Sequence, residues 1–189
     1  MINPTEITNY NRTEAELEEF LLFAILVAGK TAKTQAKKLE DFLWNASDLS
    51  PFDYIEWLNN KDQLVNCMVE FKLGQYKRIA NAFRGILKFK GKLKTISVDE
   101  LESVNGIGPK TARFFVLHSR PNAQIACLDV HILKWLDDLN YPNIPLATPS
   151  KNRYGVIEKY FLTEAKKRGV TPADLDLRIW KSYSQKPLA

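Results

Sequence analysis

Val104-Asn105-Gly106-Ile107-Gly108-Pro109-Lys110-Thr111-Ala112 is the stretch on which the reading of this chain turns. Two glycines bracket one apolar residue, and a proline follows where a helix can begin without its N–H. Upstream, Ser97 and Glu100 have the spacing of a capping box, which opens a short helix over 98–104. Downstream, 109–119 reads as a second helix. The motif is a helix–turn–helix in which Gly106 and Gly108 permit backbone angles and close approaches that a side chain would block. Ile107 is placed to plug between the two helices. The N–H groups at the start of the second helix point outward where the helix dipole is positive, which makes a cradle for an anionic oxygen.

Directly before the motif lies a basic block. From Phe71 to Val98 there is no Asp or Glu, whereas Lys72, Lys77, Arg78, Arg84, Lys88, Lys90, Lys92 and Lys94 all fall there. That stretch carries +8 on a chain of net +5, so the remainder is mildly acidic. A concentrated basic block is the footprint expected for a polyanion partner. The alternative is a solvated helix face followed by a lysine-rich loop.

Outward from there the chain reads as helical nearly throughout. Thr13 with Glu16 caps an apolar helix to about Ala28, and a second helix covers about 33–43. Ser50-Pro51 opens a helix through Leu58, and Asn60 with Gln63 opens another to about Phe71. Ile79, Phe83, Ile86 and Leu87 share one face of a helix over about 76–89. Further helices are expected at 130–139, at 150–168 (stopped by Gly169) and at 172–183, opened by Thr171-Pro172. No stretch alternates as a strand would, so the expected class is all-α.

At 189 residues, 45% hydrophobic and 26% charged, the chain has the composition of an ordinary globular protein. Its longest apolar run, Phe20 to Ala28, is too short to span a bilayer, and no export signal is recognisable. A cytoplasmic location, nucleoid-associated in a prokaryote, is the expectation. Cys67 and Cys127 cannot supply a disulfide framework, a four-cysteine zinc site or a four-cysteine iron–sulfur cluster.

Nineteen residues after Lys110 comes Leu128-Asp129-Val130-His131, with Asp129 placed to cap the next helix. Taken singly, Lys110 reads as a surface phosphate contact and Asp129 as an ordinary cap. Together, LESVNGIGPKTA and IACLDVHILKWL resemble the helix-hairpin-helix base-excision DNA glycosylases. Their signature is a hairpin, a lysine and a loop ending in a catalytic aspartate. The likeness extends to the apolar segment 19–28, to VEFKLGQYKRIANAF at 69–83, and to YGVIEKYF and ADLDLRIW near the end. Within that superfamily the chain is most similar to the small archaeal-type 8-oxoguanine glycosylases. Endonuclease III is a more distant relative, and its four-cysteine loop is missing here.

The resemblance implies a two-lobed all-α helix-hairpin-helix glycosylase fold with the active site in the cleft between lobes. One lobe would be 30–121, and the other 1–29 with 122–189. It implies Lys110 as the nucleophile that forms a Schiff base and Asp129 as the carboxylate facing the sugar cation. Removal of a damaged base, 8-oxoguanine first, would be followed by β-elimination. Gly106, Ile107, Gly108 and Thr111 of the hairpin, with Gln75, Tyr76, Lys77, Arg78 and His131, are the candidate DNA contacts. The partner would be double-stranded DNA carrying a damaged base, bound by a monomer with no membrane association. No cofactor is expected, and a monovalent cation at the hairpin is left open. Trp135 and Trp180 are candidates for core or for an aromatic wall around the flipped base, and His118 reads as a plain helix residue. The alternatives are a non-catalytic hairpin module that binds DNA structure and a glycosylase for an unusual modified base. Two departures bear on the choice of base. Val27-Ala28-Gly29-Lys30-Thr31 stands where many relatives carry a glutamine that enters the duplex, and the tail ends SQKPLA rather than in lysine.

Overall fold

A computed structural model describes residues 2–183. The tail SQKPLA at 184–189 lies outside the described residues. Within them the chain forms ten α-helices: α1 Glu14–Leu26, α2 Ala32–Trp44, α3 Pro51–Asn60, α4 Leu64–Glu70, α5 Tyr76–Ile86, α6 Val98–Glu102, α7 Pro109–Ser119, α8 Val130–Asp138, α9 Lys151–Arg168 and α10 Pro172–Tyr183. A 3₁₀ turn, Leu87–Phe89, extends α5. The expected all-α class is what is found.

Local chemistry sets most of the boundaries. Thr13 and Glu16 close a reciprocal capping box, as do Ser97 and Glu100, and the Ser50 hydroxyl caps α3 with Pro51 at its first position. Gly169 ends α9 in the left-handed region at φ 63°. The start of α4 differs from the reading. Asp62 adopts φ 56° and the Gln63 amide bonds back to Leu58, so Asn60 closes α3 instead of opening α4.

Apolar packing makes α1 the central helix. Leu17 and every residue from Phe20 to Leu26 are buried, in one cluster with side chains of α2–α7. Its carboxylates serve the loops around it: Glu18 accepts from the Phe52 amide at the start of α3, and Glu14 from the Leu93 amide. A second cluster unites Leu128, Ile132, Leu133 and Leu136 with Tyr154, Ile157, Phe161, Leu175 and Ile179. By packing, then, α1 sides with α2–α7. The division into 30–121 and 1–29 plus 122–189 does not coincide with the division of the apolar cores. Between the cores runs the connector 123–129, which belongs to no helix and ends in a tight turn, the Asp129 amide donating to the Cys127 carbonyl at 2.7 Å.

Candidate active site

Lys110 is the second residue of α7, in the first turn after the hairpin. Its ammonium lies 5.5 Å from the centre of the Phe114 ring, one turn further along. Asp129 arrives from the other side, at the end of the 123–129 connector, and caps α8. Its Oδ1 accepts from the amides of His131 and Ile132, both at 2.9 Å. The two side chains line one cleft of about 860 Å³. Val27–Ala32 form one wall, Gln75, Arg78 and the hairpin another, and His131, Thr148 and Trp180 also face in. An amine and a carboxylate from different elements thus share a space open to a large ligand.

A narrow recess of about 50 Å³ shares Lys110, Asp129 and Trp180 with this cleft and adds Asp176. Burial above all, and then the Asp176 charge, holds the Asp129 carboxyl above its ordinary value; Lys110, the Ile132 amide and His131 pull the other way. Asp176 is itself tethered: His118, with no exposed surface, bonds it through Nε2 at 3.2 Å and meets the Thr8 hydroxyl through Nδ1 at 2.8 Å. Sequence reasoning passed over Asp176 and gave His118 the plain reading. A signal was present, since Asp176 falls on the α10 face that also carries Ala173, Ile179 and Trp180. A charge on an apolar helix face needs a partner. Trp180 lines both spaces, whereas Trp135 packs edge-on against Phe161 in the second core.

The hairpin glycines divide their work. Gly106 sits at φ 100°, and a Cβ there would come within 2.5 Å of the Arg78 carbonyl oxygen. Gly108 has φ −97° and open space where a Cβ would be. Only Gly106 needs glycine for its backbone; Gly108 leaves the start of α7 bare. Helix geometry leaves the first-turn amides of Lys110 and Thr111 without partners inside α7, and they are free to meet an anion. Ile107 is buried in the first core and does not line the cleft, and Thr111 is buried with an edge on it.

Ahead of α5, Gln75 adopts φ 45°, a strained angle for a residue other than glycine, and lines the cleft. Tyr76 packs against the first core. Arg78 turns inward: it donates to Gln75 Oε1 at 2.6 Å, to the Gly106 carbonyl at 2.9 Å and to the Ile25 carbonyl at 2.9 Å. Of the remaining basic block, Lys90 pairs with Asp53, Arg84 bonds Asn59 and Lys88 reaches Ser103. Lys72, Lys77, Lys92 and Lys94 are exposed.

Lys77 and Arg78 therefore separate by experiment. Arg78→Ala strands two carbonyls and should lower stability by about 2–3 kcal/mol, a fall in Tm of roughly 5–10 °C. Lys77→Glu should leave Tm within about 2 °C of the parent. It should weaken binding to damaged and undamaged duplexes alike and flatten the plot of log affinity against log salt by about one unit. Calorimetry and fluorescence anisotropy over a salt series read both.

Among the described residues no group of three or more His, Cys, Asp or Glu is arranged to hold a metal ion, and no helix is long and apolar enough to cross a membrane. A family model described as the helix-hairpin-helix motif matches residues 88–113, which run from the 3₁₀ turn into α7. Three solved structures are similar over nearly the whole chain. The 8-oxoguanine glycosylase/lyase of Methanocaldococcus jannaschii, in complex with 15mer DNA containing 8-oxoguanine, superposes with a TM-score of 0.71 at 21% identity, over 97% of this chain and 88% of that one. A further structure of the M. jannaschii 8-oxoguanine DNA glycosylase gives 0.71 at 22%, over 96% and 84%. The 8-oxoguanine DNA glycosylase of Thermotoga maritima gives 0.70 at 23%, over 92% and 82%. The chain carries a helix-hairpin-helix motif and has the fold of these glycosylases.

Proposed function

We propose that this protein is a monomeric bifunctional DNA glycosylase and AP lyase acting on an oxidised or otherwise damaged base, with 8-oxoguanine the first substrate to try. One observation carries the reading: Lys110 and Asp129, brought by separate elements, line a single cleft beside the hairpin. The fold and the DNA-bound neighbour support it.

Duplex DNA docks by its phosphates on the first-turn amides of α7 and on exposed lysines such as Lys77, which fix position without reading sequence. The damaged nucleotide is flipped into the cleft, at a few kcal/mol of lost stacking offset by those contacts. Scission of the bond between C1′ and the base nitrogen develops positive charge on the sugar. Asp129, held by two backbone amides, presents its carboxylate to that charge. The base departs with a proton from Lys110, and the freed amine adds to C1′. The C1′–O4′ bond breaks as the amine gives a second proton to O4′ and becomes a Schiff base. Loss of a proton from C2′ then expels the 3′ phosphate. The amine and the carboxylate supply the chemistry without a resident cofactor.

The test is borohydride trapping against a panel of duplexes that each carry one lesion. A covalent complex with at least one of them, and with an abasic duplex, is the expected result. Tight binding without trapping or base release on any duplex would identify a hairpin module that recognises DNA structure only.

A further inference from the structure

The chemistry proposed above depends on the distance between Lys110, on α7, and Asp129, at the end of the 123–129 connector. Among the described residues no strand lies beside that segment, and apart from the Asp129 amide, which bonds the Cys127 carbonyl at 2.7 Å, its buried backbone polar groups need other partners. They find them on α9. The Tyr154 hydroxyl accepts from the Leu128 amide at 2.9 Å and donates to the Ala126 carbonyl at 2.9 Å. One turn on, Glu158 Oε1 accepts from the Ala126 amide at 2.8 Å. The residue between them faces the other way: the Cys127 thiol points at the Lys110 carbonyl, 3.8 Å distant.

The same two α9 side chains also hold α7. Arg113, three residues after Lys110, donates to Glu158 Oε1 at 3.2 Å and to Glu102 of α6, and its guanidinium lies 4.2 Å over the Tyr154 ring. Tyr154 is 1% exposed, so its position is fixed by packing on every side. Tyr154 and Glu158 therefore touch both the segment that delivers Asp129 and the helix that delivers Lys110.

We propose that Tyr154 and Glu158, with Arg113, are positioning residues that set the separation of Lys110 from Asp129. This rests on the function proposed above. None of the three lines the cleft; they act through the two side chains that do.

Tyr154→Phe tests it, because the ring stays beneath Arg113 and only the two backbone bonds go. Single-turnover excision, which needs both groups in register, should fall about 10–30-fold. Borohydride trapping on a duplex with a ready-made abasic site, which needs the amine and no departing base, should fall less than threefold. Duplex affinity should match the parent. A variant that is merely less stable would lose neither rate at a temperature well below its Tm. A carboxyl-carbon NMR titration of Asp129 gives a readout independent of turnover: weaker contact with Lys110 raises its midpoint. Should Tyr154→Phe fail to fold, Glu158→Gln, which keeps an acceptor for the Ala126 amide and loses the charge facing Arg113, is read in the same way. Equal falls in excision and trapping, or no change in either with an unmoved Asp129 midpoint, would overturn the proposal. A wild type that processes no lesion, with a midpoint that still moves, removes the proposed function and leaves the positioning role standing.

Discussion

Lys110→Gln yields no borohydride-trapped complex with any duplex under conditions where the wild type yields one. The amide that replaces the amine cannot form an imine, so trapping must vanish and not merely slow. The substitution is also mild structurally. The side chain keeps nearly its length and can still lie along Phe114, 5.5 Å from the lysine ammonium in the parent. Duplex affinity should drop by no more than about tenfold, the order expected for one phosphate contact. Base release persists at a reduced rate, since Asp129 remains and water can attack C1′ in place of the amine. Full-strength trapping in the variant would move the Schiff base to another amine. Lys30 would then be the first to examine, because it lines the same cleft.

Asp129→Asn should slow base excision about a thousandfold, close to 4 kcal/mol, while the duplex still binds. The amide oxygen still caps α8 at the His131 and Ile132 amides, so stability changes by only a few tenths of a kcal/mol. What disappears is the negative charge facing the sugar cation. Single-turnover excision, binding and calorimetry together decide the matter, and an equal loss of binding and excision would make Asp129 a structural cap. The pH profile adds an independent check. Asp129 acts in its ionised form, and burial followed by the Asp176 charge raises its carboxyl. Excision should therefore be lost on the acid side at a pH above the ordinary aspartate value of about 3.9. Asp176→Asn removes one raising influence and should carry that acid limb to lower pH. An unmoved limb would mean that another group titrates there.

The parts legible in the sequence are those governed by neighbours in the chain. Thr13 with Glu16, Ser97 with Glu100, Ser50-Pro51 and Asp129 each cap within three residues, and the G-I-G turn announces the hairpin. Contacts made across the fold left no such trace. Arg78 looks like one more cation in a basic block, yet it serves carbonyls at Ile25 and Gly106, which are distant in sequence and carry no side-chain signal. Gly106 and Gly108 look equivalent until the Arg78 carbonyl is seen to crowd one and not the other. The central place of α1 was obscured because its second half, Phe20 to Leu26, is apolar on every side and does not say which neighbours will surround it.

The connector between the cores also limits what can be inserted or deleted there. Successive side chains there point to opposite faces: Ala126 and Leu128 belong to the second core, and Cys127 to a small cluster with Leu117 and Ala173. Removing a single residue just before Ala126 would exchange the two faces, burying each side chain in the core shaped for the other and turning the α8 cap away from the cleft. Removing two would keep the faces and instead draw the cap back by about 7 Å. A tolerated change of length in this connector comes in pairs of residues, with a compensating pair elsewhere in it.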